Sequence, residues 1–203
     1  MRRLAASLVA ASLLAVPLLL AARPAAAFCL FNCSYTKTKY PIVLAHGLAG
    51  FDSLFGVVDY WYGLESALES QGATVFVTEV SQLNDTRVRG EQLLAQVQQI
   101  LAITGKSKVN LIGHSHGGLD VRYVAAVRPD LVASVSTVAS PHKGAALADW
   151  LRARVQNGSF TEDVLSFFAN SLGVVPGLLT GSSNPQNSVA ALDALTTTGL
   201  ASF

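Results

Sequence analysis

Charge is scarce in this sequence and nowhere concentrated. Fourteen Lys and Arg face 13 Asp and Glu, 13% of 203 residues, for a net charge near +1. Without a basic cluster to neutralise phosphates, a nucleic-acid partner is not expected. Cysteine is nearly absent: Cys29 and Cys33, in CLFNC, are the only two. They lack histidine or cysteine partners at zinc-site spacing, and three intervening residues do not make a CxxC redox motif. No metal site is expected, and the pair reads as a small-loop disulfide on an N-terminal arm, provided the compartment is oxidising. There is also no internal repeat and no linker rich enough to divide the chain. What remains is 51% hydrophobic, enough for the core of one globular domain.

The N-terminus is not expected to belong to that domain. MRR supplies a positive region, LAASLVAASLLAVPLLLAA an apolar run, and PAAA a small-residue cleavage site before Phe28. This is the pattern of a secretory signal peptide over residues 1–27, with export of a mature chain 28–203. An uncleaved anchor is the alternative, because the run approaches spanning length, although Pro17 and the terminal alanines favour cleavage. A lipobox is excluded by Phe28, which stands where a small residue would precede Cys29.

After the arm, short apolar strands alternate with helical periodicities. YPIVLAHG (40–47), ATVFVTEV (73–80), KVNLIG (108–113) and LVASVSTVAS (131–140) read as strands. Between them, WYGLESALESQG carries Trp61, Leu64 and Leu68 at helical spacing. EQLLAQVQQILAITG places Leu93, Leu94, Val97, Ile100 and Leu101 on one stripe and ends in glycine. A helix after residue 115 presents Leu119, Tyr123, Val124 and Val127, and GAALADWLRARV forms another. Continuous rather than alternating apolar strands predict a mostly parallel sheet with helices on both faces, an α/β fold. The final residues, SSNPQNSVAALDALTTTGLASF, read as a polar loop and one helix.

The chemistry concentrates in VNLIGHSHGGLDVRY. Gly113-His114-Ser115-His116-Gly117 is a G-x-S-x-G between a predicted strand and a predicted helix. Glycines let the arms of the sharp turn pass closely and lift the Ser115 hydroxyl above the carboxyl edge of the sheet. The His116 N–H, at the start of a helix, is placed to donate to an oxyanion. A second donor is expected from the loop after the first strand, where LAHGLAG offers the Leu48 N–H.

Taken together, YPIVLAHG, VDYWYGLESAL, VTEVSQLN, VRGEQLL, KVNLIGHSHGG, RYVAAVRPDLVASVSTVASPHKG and NSLG resemble the secreted bacterial triacylglycerol lipases of the Pseudomonas and Burkholderia type. The resemblance runs from about Tyr35 to the last residue. It implies an α/β-hydrolase fold and hydrolysis of water-insoluble acylglycerols through a serine acyl-enzyme. It also implies Ser115 as nucleophile, Leu48 and His116 as oxyanion donors, and a lipid–water interface as the working surface. A lid-like segment is expected over about 158–181, where Val164, Leu165, Phe167, Phe168, Leu172, Val175, Leu178 and Leu179 stand among glycine breaks; an amphipathic core helix is the other reading. Relatives of this kind also imply a dedicated membrane-anchored chaperone and, in their full-length form, a bound calcium.

One part of the pattern does not arrive. A serine needs a histidine to take its proton and an acid to orient that histidine, in the chain order serine, acid, histidine for this fold. After Ser115 only His142 remains, in SPHKG, a motif the lipases carry in addition to their catalytic histidine. The family's acid, base, calcium ligands and disulfide fall past residue 203. The chain is therefore expected to be the N-terminal part of a lipase, with the C-terminal strands of the sheet missing and 131–140 left as an apolar edge. His142 with Asp120 or Asp130 is the one substitute dyad that can be drawn. Two alternatives to a triacylglycerol lipase stay open: an esterase for short soluble esters, and a catalytically incompetent remnant that adsorbs to lipid surfaces.

Overall fold

Four parallel strands set the frame of the computed structural model, which describes residues 34–50, 53–54, 58–155, 158–159, 161–163, 166 and 183–203. Residues 1–27, expected to be a signal peptide, Cys29, Cys33 and most of the expected lid-like segment lie outside the described residues. The strands are β1 (Ile42–Ala45), β4 (Val75–Thr78), β5 (Val109–His114) and β6 (Val132–Val138), in the order β4–β1–β5–β6. All three pairings are parallel. A short antiparallel ribbon, β2 (Ser53–Leu54) with β3 (Val58–Asp59), follows β1.

The apolar runs are continuous because both faces of the sheet are covered. Val43, Ala45, Val109 and Leu111 pack on one side against Leu93, Val97 and Ile100 of α2 (Thr86–Thr104) and Val121 and Val124 of α3 (Gly117–Val127). Ile42, Leu44 and Val75 face the other way, towards Trp61 and towards Leu68 of α1 (Leu64–Glu69). On α3, Leu119 and Val124 of the expected face are buried, but Val127 is exposed, and the buried stripe takes in Val121 and Asp120 instead. The helix approaches β1 so closely at its first turn that its buried stripe starts from Gly117 and Gly118.

β6 is the outer strand, exposed from Ala133 to Val138, and among the described residues nothing pairs with its free side. Beyond it come α4 (Ala146–Arg152), α5 (Ser188–Leu195) and α6 (Thr197–Ala201). The last two replace the single terminal helix expected from sequence. Thr196 stands between them in an extended conformation, and its hydroxyl accepts the Gly199 N–H, starting a new helix instead of continuing the old one. The segment entering α5 is tied to the loop after β4: Leu83 N–H donates to Gln186 Oε1 at 2.8 Å, and Asn187 N–H to Leu83 O at 2.6 Å.

Helix α2 starts five residues before the expected EQLL stretch. Asp85 is its N-cap and accepts the Arg87 N–H at 2.7 Å, satisfying one of the orphan donors of the first turn. Asp85→Ala is expected to cost about 1 kcal/mol, read as a lower urea midpoint, with Asp85→Asn retaining most of it. Equal midpoints for wild type and Asp85→Ala would show that the cap contributes nothing.

Candidate active site

The carboxyl ends of β1 and β5 bring the two loops singled out in the sequence together. Ser115 stands between β5 and α3 with φ of 54°, a left-handed backbone that non-glycine residues rarely adopt. Its N–H donates to Val138 O at 2.9 Å, anchoring the bend to β6. The bend is tight enough that a Cβ at Gly117 would come within 2.5 Å of His46 O, so this position admits only glycine. A Cβ at Gly47 would lie 2.8 Å from Ser115 Cβ and 2.9 Å from Tyr60 Oη. The β1 loop therefore passes directly beside the serine.

Leu48 follows Gly47, and its N–H has no hydrogen-bond acceptor among the described residues; the same holds for the His116 N–H. Both candidate oxyanion donors thus stay unspent while their neighbours are committed. Ala49 N–H donates to Gln82 O at 2.9 Å, and Gly47 N–H to the Tyr60 hydroxyl at 3.0 Å. No described side chain is hydrogen-bonded to the Ser115 hydroxyl.

All four histidines are otherwise engaged. His46 is fully buried, accepts the Val80 N–H at Nε2 (3.2 Å) and lies 2.9 Å from Gly47 O through Nδ1. Burial, reinforced by the Arg89 charge, brings its pKa down to about 3, so the ring is neutral and Nδ1 carries the proton given to Gly47 O. His114 Nδ1 is 2.6 Å from the Tyr60 hydroxyl. His116 is buried with Nε2 2.9 Å from Thr86 Oγ1, and burial holds it well below the ordinary imidazole range. Its Nδ1 finds no partner among the described residues. His142 is exposed and meets Thr137 Oγ1 at 3.0 Å. The acids that could orient it are also engaged, Asp120 by Arg89 and Asp130 by Arg128, each at 2.7 Å. The described structure does not bring the substitute dyad together.

What the sequence reading passed over is the ion pair beneath the site. Arg89 on α2 and Asp120 on α3 are both wholly buried, with Nη2 to Oδ2 at 2.7 Å and Nε to Oδ2 at 3.0 Å. Burial pushes the Asp120 carboxyl up to about 6 against the pull of Arg89. The signal was present: Arg89, Leu93 and Val97 fall on one helical stripe at steps of four, so a cation occupies a core position. Tyr60 was missed as well, hidden in a run of aromatics.

Among the described residues no group of three or more His, Cys, Asp or Glu is placed to hold a metal ion. They do not fit the calcium implied for longer relatives, and no chemical step here runs through one. Nor is any described helix long and apolar enough to cross a membrane.

The α/β hydrolase fold family matches residues 40–197. The chain is 52% identical over 170 residues to a triacylglycerol lipase of Vibrio cholerae serotype O1, covering 83% of this chain and 54% of that one. It is 46% identical over 213 residues to the triacylglycerol lipase of Burkholderia plantarii, covering 99% of this chain and 58% of that one. The Pseudomonas fragi triacylglycerol lipase matches at 46% over 168 residues, 82% of this chain and 57% of that one. The chain thus spans about half the length of the curated relatives it matches. Among solved structures, mature Bacillus licheniformis lipase BlEst2 superposes with a TM-score of 0.55 at 25% identity, over 81% of this chain and 57% of that one. The metagenomic carboxyl esterase MGS0156 gives 0.59 at 20%, over 90% and 48%, a likeness of fold alone.

Proposed function

This chain belongs to the α/β hydrolase fold family, and from that premise we propose that it is a serine carboxylic ester hydrolase of the triacylglycerol lipase kind. The observation that carries the reading is Ser115 held at φ 54° beside two unspent N–H groups, those of Leu48 and His116. Attack of Ser115 Oγ on an ester carbonyl forms an O–C bond, moves the carbonyl π pair onto oxygen and passes the hydroxyl proton to a general base. The resulting oxyanion is received by the two N–H groups, and collapse breaks the bond to the alcohol, which takes up that proton and leaves an acyl-serine. Water then releases the acid by the same two steps. Preorganised donors suit this task because they need no reorientation as charge develops.

The reading requires a histidine and an acid that the described residues do not place beside Ser115. It takes triacylglycerol as the substrate class from the names of the relatives and a lipid–water interface as the working surface. Leu147, Trp150 and Leu151 of α4, all large, apolar and exposed, support adsorption to such a surface. Secretion belongs to the same proposal, on the strength of residues 1–27. So does dependence on a dedicated chaperone.

The test is covalent capture with a fluorophosphonate, whose phosphoryl oxygen takes the place of the ester oxyanion. The expected result is a single adduct on the peptide containing residues 109–122, formed more slowly when an emulsified triacylglycerol competes. A folded protein that gains no adduct would remove the serine-hydrolase reading. Competition by short soluble esters alone would assign it to that narrower substrate class.

A further inference from the structure

Trans peptide geometry makes the direction of a carbonyl informative about the N–H beyond it. In a planar trans peptide the C=O and the following N–H point in opposite directions, and the chain has no cis peptide among its described residues. In the loop after β1, the His46 carbonyl accepts from Arg89 Nη2 at 2.9 Å. The N–H of that same peptide, on Gly47, points the other way and reaches Tyr60 Oη at 3.0 Å. The next peptide repeats the arrangement. Gly47 O accepts the His46 Nδ1 proton at 2.9 Å and the Gly50 N–H at 3.2 Å, and lies 3.4 Å from Arg89 Nη2. The N–H of that peptide belongs to Leu48 and, the peptide being trans, is directed away from Gly47 O and so away from Arg89.

We propose that Arg89, with His46 as its second arm, is a positioning residue that fixes the Gly47–Leu48 peptide plane and so aims the Leu48 N–H at the oxyanion. This inference rests on the proposed ester-hydrolase reading. Arg89 is suited to the task because its guanidinium reaches three segments at once. Nε and Nη2 hold Asp120 on α3, the helix that begins just after Ser115. Nη1 donates to Ser81 O, and Nη2 to His46 O. Gln82 O, 3.4 Å from Nη1, also takes the Ala49 N–H. The fork therefore ties the nucleophile's helix to the loop that supplies the opposite donor. Arg89 touches no reacting atom. It acts by deciding which face of one peptide meets the substrate. A lysine could keep the charge beside Asp120, but its single ammonium cannot reproduce the planar fork.

The experiment compares wild type with Arg89→Lys and Arg89→Ala by two readouts. The first is the second-order rate of fluorophosphonate capture. The second is amide hydrogen exchange at Gly47 and Ala49, with Val43 and Leu44 of β1 as internal controls. Arg89→Lys is expected to fold, to slow capture about 10- to 100-fold, the size of effect seen when an oxyanion donor is lost, and to speed exchange at Gly47 and Ala49 at least tenfold while Val43 and Leu44 keep their protection. If Arg89→Ala folds, millimolar guanidinium is expected to restore part of its capture rate. Wild-type capture and exchange rates in Arg89→Lys would overturn the proposal. So would equal loss of protection in loop and strand, which would make Arg89 a residue of general stability. If wild type itself is not captured, the ester-hydrolase reading fails, while the exchange measurement still decides whether Arg89 holds the loop.

Discussion

Ser115→Ala is expected to lower ester turnover at least about 1000-fold, as befits loss of a nucleophile whose partners act only through it. Thermal stability should change little, because no described group is hydrogen-bonded to the hydroxyl. Ser115→Gly separates chemistry from fold more sharply. At φ 54° a side chain crowds its own backbone, at a cost of about 1–2 kcal/mol for a residue with a Cβ. Glycine removes that crowding and is expected to raise the urea midpoint by an amount equivalent to about 1 kcal/mol, partly offset by its greater freedom in the unfolded chain. The glycine variant should thus be inactive and more stable. An alanine variant that keeps a tenth of the wild-type turnover would show that Ser115 is not the nucleophile. A glycine variant that loses stability would show that the left-handed bend is unstrained.

That strain also explains how much of the site could be read in advance. The G-x-S-x-G spacing specifies a sharp strand-to-helix bend, because only glycines at 113 and 117 let α3 lie against β1 and β5. The position of Ser115 therefore followed from local sequence. The LAHG loop was legible for a related reason: a short apolar strand ending in His-Gly has to deliver its next amides at the same sheet edge. The Arg89–Asp120 clasp was only half legible: the stripe of Arg89, Leu93 and Val97 puts a cation at a core position, but nothing local names Asp120, five residues beyond Ser115, as its partner. Its meaning depends on the packing of α2 against α3, a tertiary contact that no local pattern encodes. Helix boundaries failed in the same way. Asp85 and Thr196 act through single hydrogen bonds to amides two or three residues on, and apolar periodicity carries no trace of those. The order β4–β1–β5–β6 likewise follows from crossover connections, whereas the strands themselves follow from composition.

The buried polar cluster beneath the loop predicts marked acid lability. In the unfolded chain an imidazole takes up a proton below about 6.5, whereas burial brings His46 down to about 3 and holds His116 well below the ordinary range. Each histidine therefore contributes stability that is complete above the unfolded value and is lost as pH falls through this window. Asp120 works in the opposite sense. Its carboxyl keeps a proton in the folded state up to about 6, while an unfolded aspartate releases it near about 4, so between these values acid favours the folded form. Two histidines against one aspartate leave a net uptake of about one proton on unfolding near pH 5, a slope of about 1.4 kcal/mol per pH unit. Urea midpoints at pH 7, 6, 5 and 4 should fall accordingly, and in His116→Asn the slope between pH 6 and 4 should be close to zero. A flat wild-type profile over that range would mean that the histidines are hydrated or charged in the folded protein. Function is expected to fail with the fold. A proton on His46 Nε2 would face the Val80 N–H that it now accepts, and the imidazolium would stand beside Arg89. The loop that presents the Leu48 N–H would then lose its second arm under the same conditions that unfold the core beneath it.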